Sequence, residues 1–120
     1  RIATNKTGVT DNISDGGICA EIDIQTGQMY YPECIINHEI IACSVHPDSG
    51  MAIEGIVPNW GKIKAGILEI SQYIFPLEYL GFDVVITEDS FTILEINTHQ
   101  DLHRYPYYDK KIHEYFTSKL

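Results

Sequence analysis

The chain has 120 residues, the size of one domain or of a part of one, and 44% of them are hydrophobic. Asp and Glu number 17 against 8 Lys and Arg, which gives a net charge of −9. This acidic balance argues against a nucleic-acid partner or an anionic membrane surface, because both attract a basic patch. The sequence also holds no apolar run near the roughly 20 residues needed to span a bilayer.

Three cysteines, Cys19, Cys34 and Cys43, are an odd number without the spacing of a metal site. We expect them to be small hydrophobic core residues of a protein in a reducing compartment, the cytoplasm.

The first half of the chain predicts short strands that are joined by polar turns, because β-rich runs alternate with Gly, Asp, Asn and Ser. The strand segments are 1–5, 18–24, 28–31 and a short buried one at 40–43. The loop at 11–17 ends in Gly16 and Gly17, which permit positive φ and close approach of the backbone to a ligand. A plain hairpin connection explains the same composition.

Residues 46–50, His-Pro-Asp-Ser-Gly, predict a turn. His46 is a candidate metal ligand or acid–base group, although a lone histidine in a loop is more often neither.

Two helices are predicted in the second half. Apolar residues recur at three- and four-residue steps before Pro76, which disfavours helical conformation in the residue before it. The stripe consists of Trp60, Ile63, Ile67, Ile70 and Ile74. A final amphipathic helix spans 108–120, with Ile112, Tyr115 and Phe116 facing inward.

Residues 82–87 and 91–96 predict a β-hairpin around a turn at 88–90. If the hairpin is symmetric about its central residue, three pairs of residues lie opposite each other. These are Asp83 with Glu95, Val85 with Ile93, and Thr87 with Phe91. One face is then expected to be a core face, formed by Phe82, Val84, Ile86, Leu94 and Ile96.

Asp83, Glu95 and Asn97 share the other face, because side chains alternate along a strand. Opposed carboxylates repel each other, and a divalent cation removes that cost. Ligands that are all oxygen suit Mg²⁺. Two ordinary solvated charges explain the same pattern, and the metal hypothesis depends on register, which a two-residue loop or a bulge changes.

A rival metal site involves His99 and His103, which are four residues apart and follow Glu95 by four and eight. On a helix this spacing suits zinc. Solvated histidines are the alternative.

Several motifs in order resemble the C-terminal part of the ATP-grasp ligase domain. The closest resemblance is to the sugar-transfer-associated ATP-grasp branch, labelled as hexapeptide transferase family or alpha-L-glutamate ligase-related proteins. The matching segments are RIAT at 1–4, DNISDGG at 11–17, IDIQTG at 22–27, HPDSG at 46–50, EGIVPNW at 54–60, GFD at 81–83 and ILEIN at 93–97.

The resemblance implies roles for particular residues. Asp83, Glu95 and Asn97 would bind the two Mg²⁺ ions that hold ATP. Asn12, Gly16 and Gly17 would border the phosphates and the acceptor, and Arg1 with Asn12 would act in catalysis. The alternative that the resemblance implies for His99 and His103 is that they line the acceptor-substrate pocket. The implied fold is α+β, a mostly antiparallel sheet packed by one long helix and a C-terminal helix.

The implied activity is that of an ATP-dependent ligase, which activates a carboxylate as an acyl phosphate for attack by an amine or another nucleophile. The family label adds cell-surface polysaccharide or cell-wall metabolism. Residues 1–120 would be the C-terminal part of the domain, inactive alone, with the N-terminal half of the same domain as its partner. The alternatives are a non-catalytic binding module with solvated acidic residues and a small zinc-binding domain.

Overall fold

A computed structural model describes residues 1–98 and 106–120. They form two antiparallel sheets and two helices, so the predicted α+β class is confirmed. The elements are β1 (Ile18–Ile22), β2 (Met29–Ile36), β3 (Glu39–Ala42), α1 (Trp60–Tyr73), β4 (Gly81–Ile86), β5 (Phe91–Asn97) and α2 (Pro106–Thr117). The chain divides into two compact units, residues 1–64 and 65–120. None of the helices in the described ranges is long and apolar enough to cross a membrane.

The first unit contains a three-stranded sheet in the order β1-β2-β3. The turn between β1 and β2 is closed by the carboxylate of Asp23, whose Oδ1 accepts hydrogen bonds from the backbone N–H of Gln25 and from both the N–H and the hydroxyl of Thr26. Hydrogen bonds from Thr26 hold the pKa of Asp23 below its ordinary value. The turn is therefore fixed by local polar contacts of short side chains.

A β-bulge in β2 admits a proline to the middle strand of this sheet. Cys19 pairs with Glu33 and Glu21 pairs with Tyr30, so two steps along β1 correspond to three along β2. Tyr31 lies in the extra stretch with a φ of 49°. Because proline cannot donate to a ladder, Pro32 is tolerated where the bulge interrupts the pairing.

The core of the first unit is small. Ile18, Cys34 and Ile53 are buried, and Ile2 and Cys43 pack against them. All three cysteines are free thiols, and only Cys34 is fully buried, so the prediction of a core role is confirmed for Cys34. Burial, together with a hydrogen bond that the Cys34 thiol donates to Cys43, raises the pKa of Cys34.

Two predicted strands differ from the structure. Residues 1–5 supply only a single bridge among the described residues, between Ile2 and Ile18. The Thr7 hydroxyl accepts the backbone N–H of Thr4 and donates to the Thr4 carbonyl, which turns the chain. β3 forms near its predicted place, but the prediction of burial is wrong, since Ile40 is 52% exposed. An apolar run gives β propensity without showing whether the strand lies at the edge of its sheet, as β3 does.

In the second unit, α1 packs closely on the β4–β5 hairpin. A Cβ at Gly66 would lie 2.7 Å from the ring of Phe91, so the helix and this ring approach each other closely at a glycine. The predicted apolar stripe is confirmed, because its members from Ile63 to Ile74 are buried or half-buried. α2 begins at Pro106, two residues before its predicted start, since proline is favoured at the first helical position.

Candidate metal and nucleotide site

The β4–β5 hairpin carries the predicted metal ligands, and its turn is a two-residue loop. Thr87 donates its backbone N–H to the carbonyl of Ser90 at 2.9 Å, and the Ser90 N–H donates to the Thr87 hydroxyl at 3.0 Å. The residue across from Phe91 is consequently Ile86, and not Thr87 as predicted. The predicted symmetry about the centre of the turn is wrong at this end of the hairpin, because these Thr87 hydrogen bonds close a tighter loop.

A β-bulge farther along the hairpin restores the predicted pairing. Val84 pairs with Ile93 and Asp83 pairs with Glu95, so one extra residue, Leu94, lies on β5 between the two pairs. The predicted pairing of Val85 with Ile93 is therefore wrong. The pairing of Asp83 with Glu95 is confirmed, because the tight loop and the bulge shift the register in opposite directions.

Asp83, Glu95 and Asn97 lie together at the open end of the hairpin. Asn97 pairs with Gly81, two residues before Asp83 on β4. Paired residues place their Cβ atoms about 4.5–5.5 Å apart on one face of the sheet. The donor set contains only carboxylate and amide oxygens, which fits Mg²⁺.

Two carboxylates and one amide are a ligand set that Mg²⁺ takes in proteins. Among residues 1–98 and 106–120, no three His, Cys, Asp or Glu side chains cluster as a metal site. Mg²⁺ is commonly held by one or two carboxylates together with substrate phosphates and water, whereas structural zinc takes four protein ligands. The rival site at His99 and His103 lies outside the described residues.

The opposite face of the hairpin is only partly a core face. Phe82 and Val84 are half-buried, but Leu94 is 68% exposed and Ile96 and Ile86 are about 40% exposed. The prediction of burial is wrong for these last three residues. Leu94 is exposed because it is the extra residue of the bulge and pairs with no residue on β4.

Arg1 and Asn12, predicted from the resemblance to act together, are brought together in the first unit. Arg1 Nη1 lies 3.5 Å from Asn12 Oδ1, and Arg1 Nε lies 3.7 Å from Asp11 Oδ2. The arginine side chain is 42% exposed. The contacts of Arg1 with Asp11 and Asn12 are therefore made at the protein surface, and its guanidinium remains accessible.

Gly16 and Gly17 have a structural reason for being glycine. Residues 13–15 form a 3-10 turn, and Gly16 ends it in the left-handed region with a φ of 104°. At Gly17 a Cβ would lie 2.4 Å from the Asp11 carbonyl oxygen and 2.8 Å from that of Asn12. The loop itself therefore requires both glycines, and their presence alone is no evidence of a ligand.

His46 anchors two chain segments together. Its Nδ1 accepts the backbone N–H groups of Asp48 and Ser49 at 3.2 and 3.4 Å. Nε2 therefore carries the proton and donates to the Ala3 carbonyl at 2.9 Å. The Asp48 carboxylate accepts the Asn5 N–H at 2.7 Å. Both ring nitrogens are engaged, which favours the structural reading of this histidine.

A polar cluster that the sequence did not predict lies in the second unit. Glu78 Oε2 accepts a hydrogen bond from the Tyr115 hydroxyl at 2.5 Å, and it forms an ion pair with Lys119 Nζ at 2.7 Å. Lys119 first and Tyr115 second hold the pKa of Glu78 below its ordinary value, while Glu78 raises the pKa of both partners. Tyr115 and Lys119 lie 37 and 41 residues after Glu78 in the sequence, so no local pattern indicates this cluster.

The fold is that of an α+β protein whose β4–β5 hairpin carries two paired carboxylates and an amide at its open end. The model of the sugar-transfer associated ATP-grasp family matches residues 1–107, so the chain belongs to that family. Membership gives it a fold of the ATP-dependent ligase type, in a family that binds ATP, Mg²⁺ and a substrate. No curated protein and no solved structure matches the chain.

Proposed function

We propose that this chain is the Mg²⁺-binding, C-terminal part of an ATP-dependent ligase. The enzyme activates a carboxylate as an acyl phosphate for displacement by an amine or another nucleophile, in the metabolism of cell-surface polysaccharide or the cell wall. The pairing of Asp83 with Glu95 carries this proposal, since it brings two carboxylates to one place on the sheet, where a divalent cation can take an oxygen from each.

In this proposal the hairpin residues would hold the Mg²⁺ that accompanies ATP. Asp83 and Glu95 supply anionic oxygens from neighbouring strands, and Asn97 supplies a neutral amide oxygen. Held by these residues, Mg²⁺ would supply positive charge to the transferring phosphoryl group, which needs positioning more than covalent help from the protein.

Arg1 has the second role in this proposal, which is to stabilise negative charge on the phosphoryl group or the acyl phosphate. Its guanidinium carries a permanent charge and several fixed donors, which suit a phosphoryl group or an acyl phosphate. Asn12 lies within 3.5 Å of it, so the amide holds the arginine near the glycine loop. Gly16 and Gly17 keep that loop tight, and their backbone borders the acceptor in this proposal.

The test compares three variants of the intact protein that carries this chain. Asp83→Asn and Glu95→Gln remove one negative charge each with little change in shape, and we expect each to abolish ATP turnover. Asp89→Asn, on the exposed turn of the same hairpin, is the matched control and should retain the wild-type rate. Far-ultraviolet circular dichroism checks that all three fold.

A second readout does not require activity. Mn²⁺ takes oxygen ligands as Mg²⁺ does, and it broadens the NMR signals of nearby protons. We expect broadening at Asp83 and Glu95, reversed by excess Mg²⁺, and its loss in Asp83→Asn. If Mn²⁺ broadens no hairpin signal and both acidic variants turn over ATP normally, the proposal is wrong and a non-catalytic binding module is the better description.

A further inference from the structure

A shallow pocket of about 350 Å³ lies in the second unit, beside the cluster of Glu78, Tyr115 and Lys119. The described residues that line it include Leu77, Glu78, Tyr79, Tyr115, Phe116 and Lys119. Most of this wall is apolar and aromatic, with a few polar groups at one edge. Apolar pockets of this size with a small set of convergent polar groups are the usual form of small-molecule sites.

The aromatic wall is held in a fixed arrangement. The ring of Phe116 meets those of Tyr79 and Tyr115 edge to face, with centroids 5.2 and 5.3 Å apart. Lys119 Nζ lies 5.3 Å from the Tyr115 ring centroid. Tyr115 and Phe116 nevertheless remain 37% and 45% exposed, so the wall keeps apolar surface that a ligand can cover.

The polar edge presents an acceptor next to a donor. Tyr115 and Lys119 both bond Oε2 of Glu78, and Oε1 accepts no hydrogen bond from the described residues. The ammonium of Lys119 has three donors, of which this carboxylate takes one. Because the carboxylate and the ammonium neutralise each other, the edge favours a neutral ligand over an anion.

We propose that this pocket binds a neutral sugar ring. Adjacent ring hydroxyls each donate and accept, so one can donate to Glu78 Oε1 while its neighbour accepts from Lys119. The C–H face of the ring covers the apolar surface of Tyr79 and Phe116. A purely apolar ligand would leave the polar edge unpaired, and a nucleotide would bring phosphates against the Glu78 carboxylate.

The pocket adjoins the hairpin that bears the proposed metal ligands. Thr98, which lines the pocket, directly follows Asn97 at the end of β5. That the bound sugar is the acceptor of the ligase rests on the proposed function. Binding itself does not rest on it, and the two are tested separately.

Saturation-transfer NMR tests the pocket in the intact protein, with methyl glycosides of glucose, galactose and N-acetylglucosamine as probes. We expect transfer to the ring protons of at least one probe. Glu78→Gln should weaken its binding at least tenfold, because the ion pair that orients Lys119 is lost. Phe116→Ala should do the same by removing the wall.

Controls separate the pocket from folding and from metal binding. Tyr73→Ala removes an aromatic ring that is 82% exposed and outside the lining, and it should bind the probe like the wild type. Asp83→Asn should also bind it normally. Glu78→Gln changes little in volume, so it tests the pocket even if Phe116→Ala fails to fold. No transfer to any probe, or equal binding by the wild type and Glu78→Gln, overturns the proposal.

Discussion

Asp83 lies directly across the β4–β5 ladder from Glu95, although both the turn and one strand between them are irregular. The two-residue loop moves the pairing by one position, and the extra residue Leu94 moves it back. Because a slip of one residue sends side chains to the opposite face, either irregularity alone would separate the two carboxylates. Their opposition is therefore the product of two local departures that cancel.

Deletion of Leu94 is predicted to preserve the opposition. Without it the ladder becomes continuous, with Ile93 still across from Val84 and Glu95 still across from Asp83. NOE contacts between the backbones at 83 and 95 should persist, and the Mn²⁺ broadening proposed above should remain. Loss of the NOE contacts in a folded deletion variant would show that the bulge itself holds the pair.

Gly17→Ala is predicted to destabilise the first unit by about 1–3 kcal/mol, because the new methyl group meets two backbone carbonyl oxygens and the backbone must shift to admit it. Gly61→Ala, in the first turn of α1, is the matched control. A Cβ there meets nothing within 4 Å, and stability should rise by about 0.4–1 kcal/mol. Urea unfolding measures both, and equal effects would contradict the steric argument.

His46→Ala is predicted to loosen the turn at 46–50, since the N–H groups of Asp48 and Ser49 lose their acceptor. Each lost bond costs about 0.5–1.5 kcal/mol. His46→Asn should retain these two bonds through its Oδ1 and lose only the bond to Ala3. Amide hydrogen exchange at 48 and 49 distinguishes the variants. Protection that survives in His46→Ala would refute the structural role.

The Glu78 cluster is predicted to make stability depend on pH at both extremes. The folded pKa of Glu78 is lowered, so its contribution is present above the ordinary glutamate pKa of about 4.3 and is lost as pH falls through the lower folded value. The raised pKa of Lys119 gives a contribution that is lost as pH rises past its folded value. In Lys119→Met, the NMR titration midpoint of Glu78 should move upward; an unchanged midpoint would exclude the ion pair as the main cause.

Ile63→Ala is predicted to destabilise the protein by about 2–5 kcal/mol, because Ile63 is only 2% exposed and its removal leaves a cavity. Leu68→Ala on the same helix, where the side chain is 59% exposed, should change stability by less than about 0.5 kcal/mol. Thermal unfolding compares them. Similar losses of stability in both variants would contradict the packing of α1, in which Ile63 is buried and Leu68 is exposed.

Local sequence patterns by themselves determined much of the secondary structure of this protein. Three- and four-residue steps of isoleucine predict α1, and β-rich runs around polar turns predict the strands, since both periodicities follow from backbone geometry. The same alternation predicts that the Asp83–Glu95 pair shares a face with Asn97. Family motifs in the chain predict the ATP-grasp membership.

Only the tertiary structure decided which apolar residues are covered and which distant polar groups meet. Ile40 and Leu94 follow strand patterns as well as buried residues do, but one lies in an edge strand and the other in a bulge. The contact of Glu78 with Lys119 joins two positions with no periodic relation. Burial and long-range contact depend on how elements pack, and local pattern carries no record of that packing.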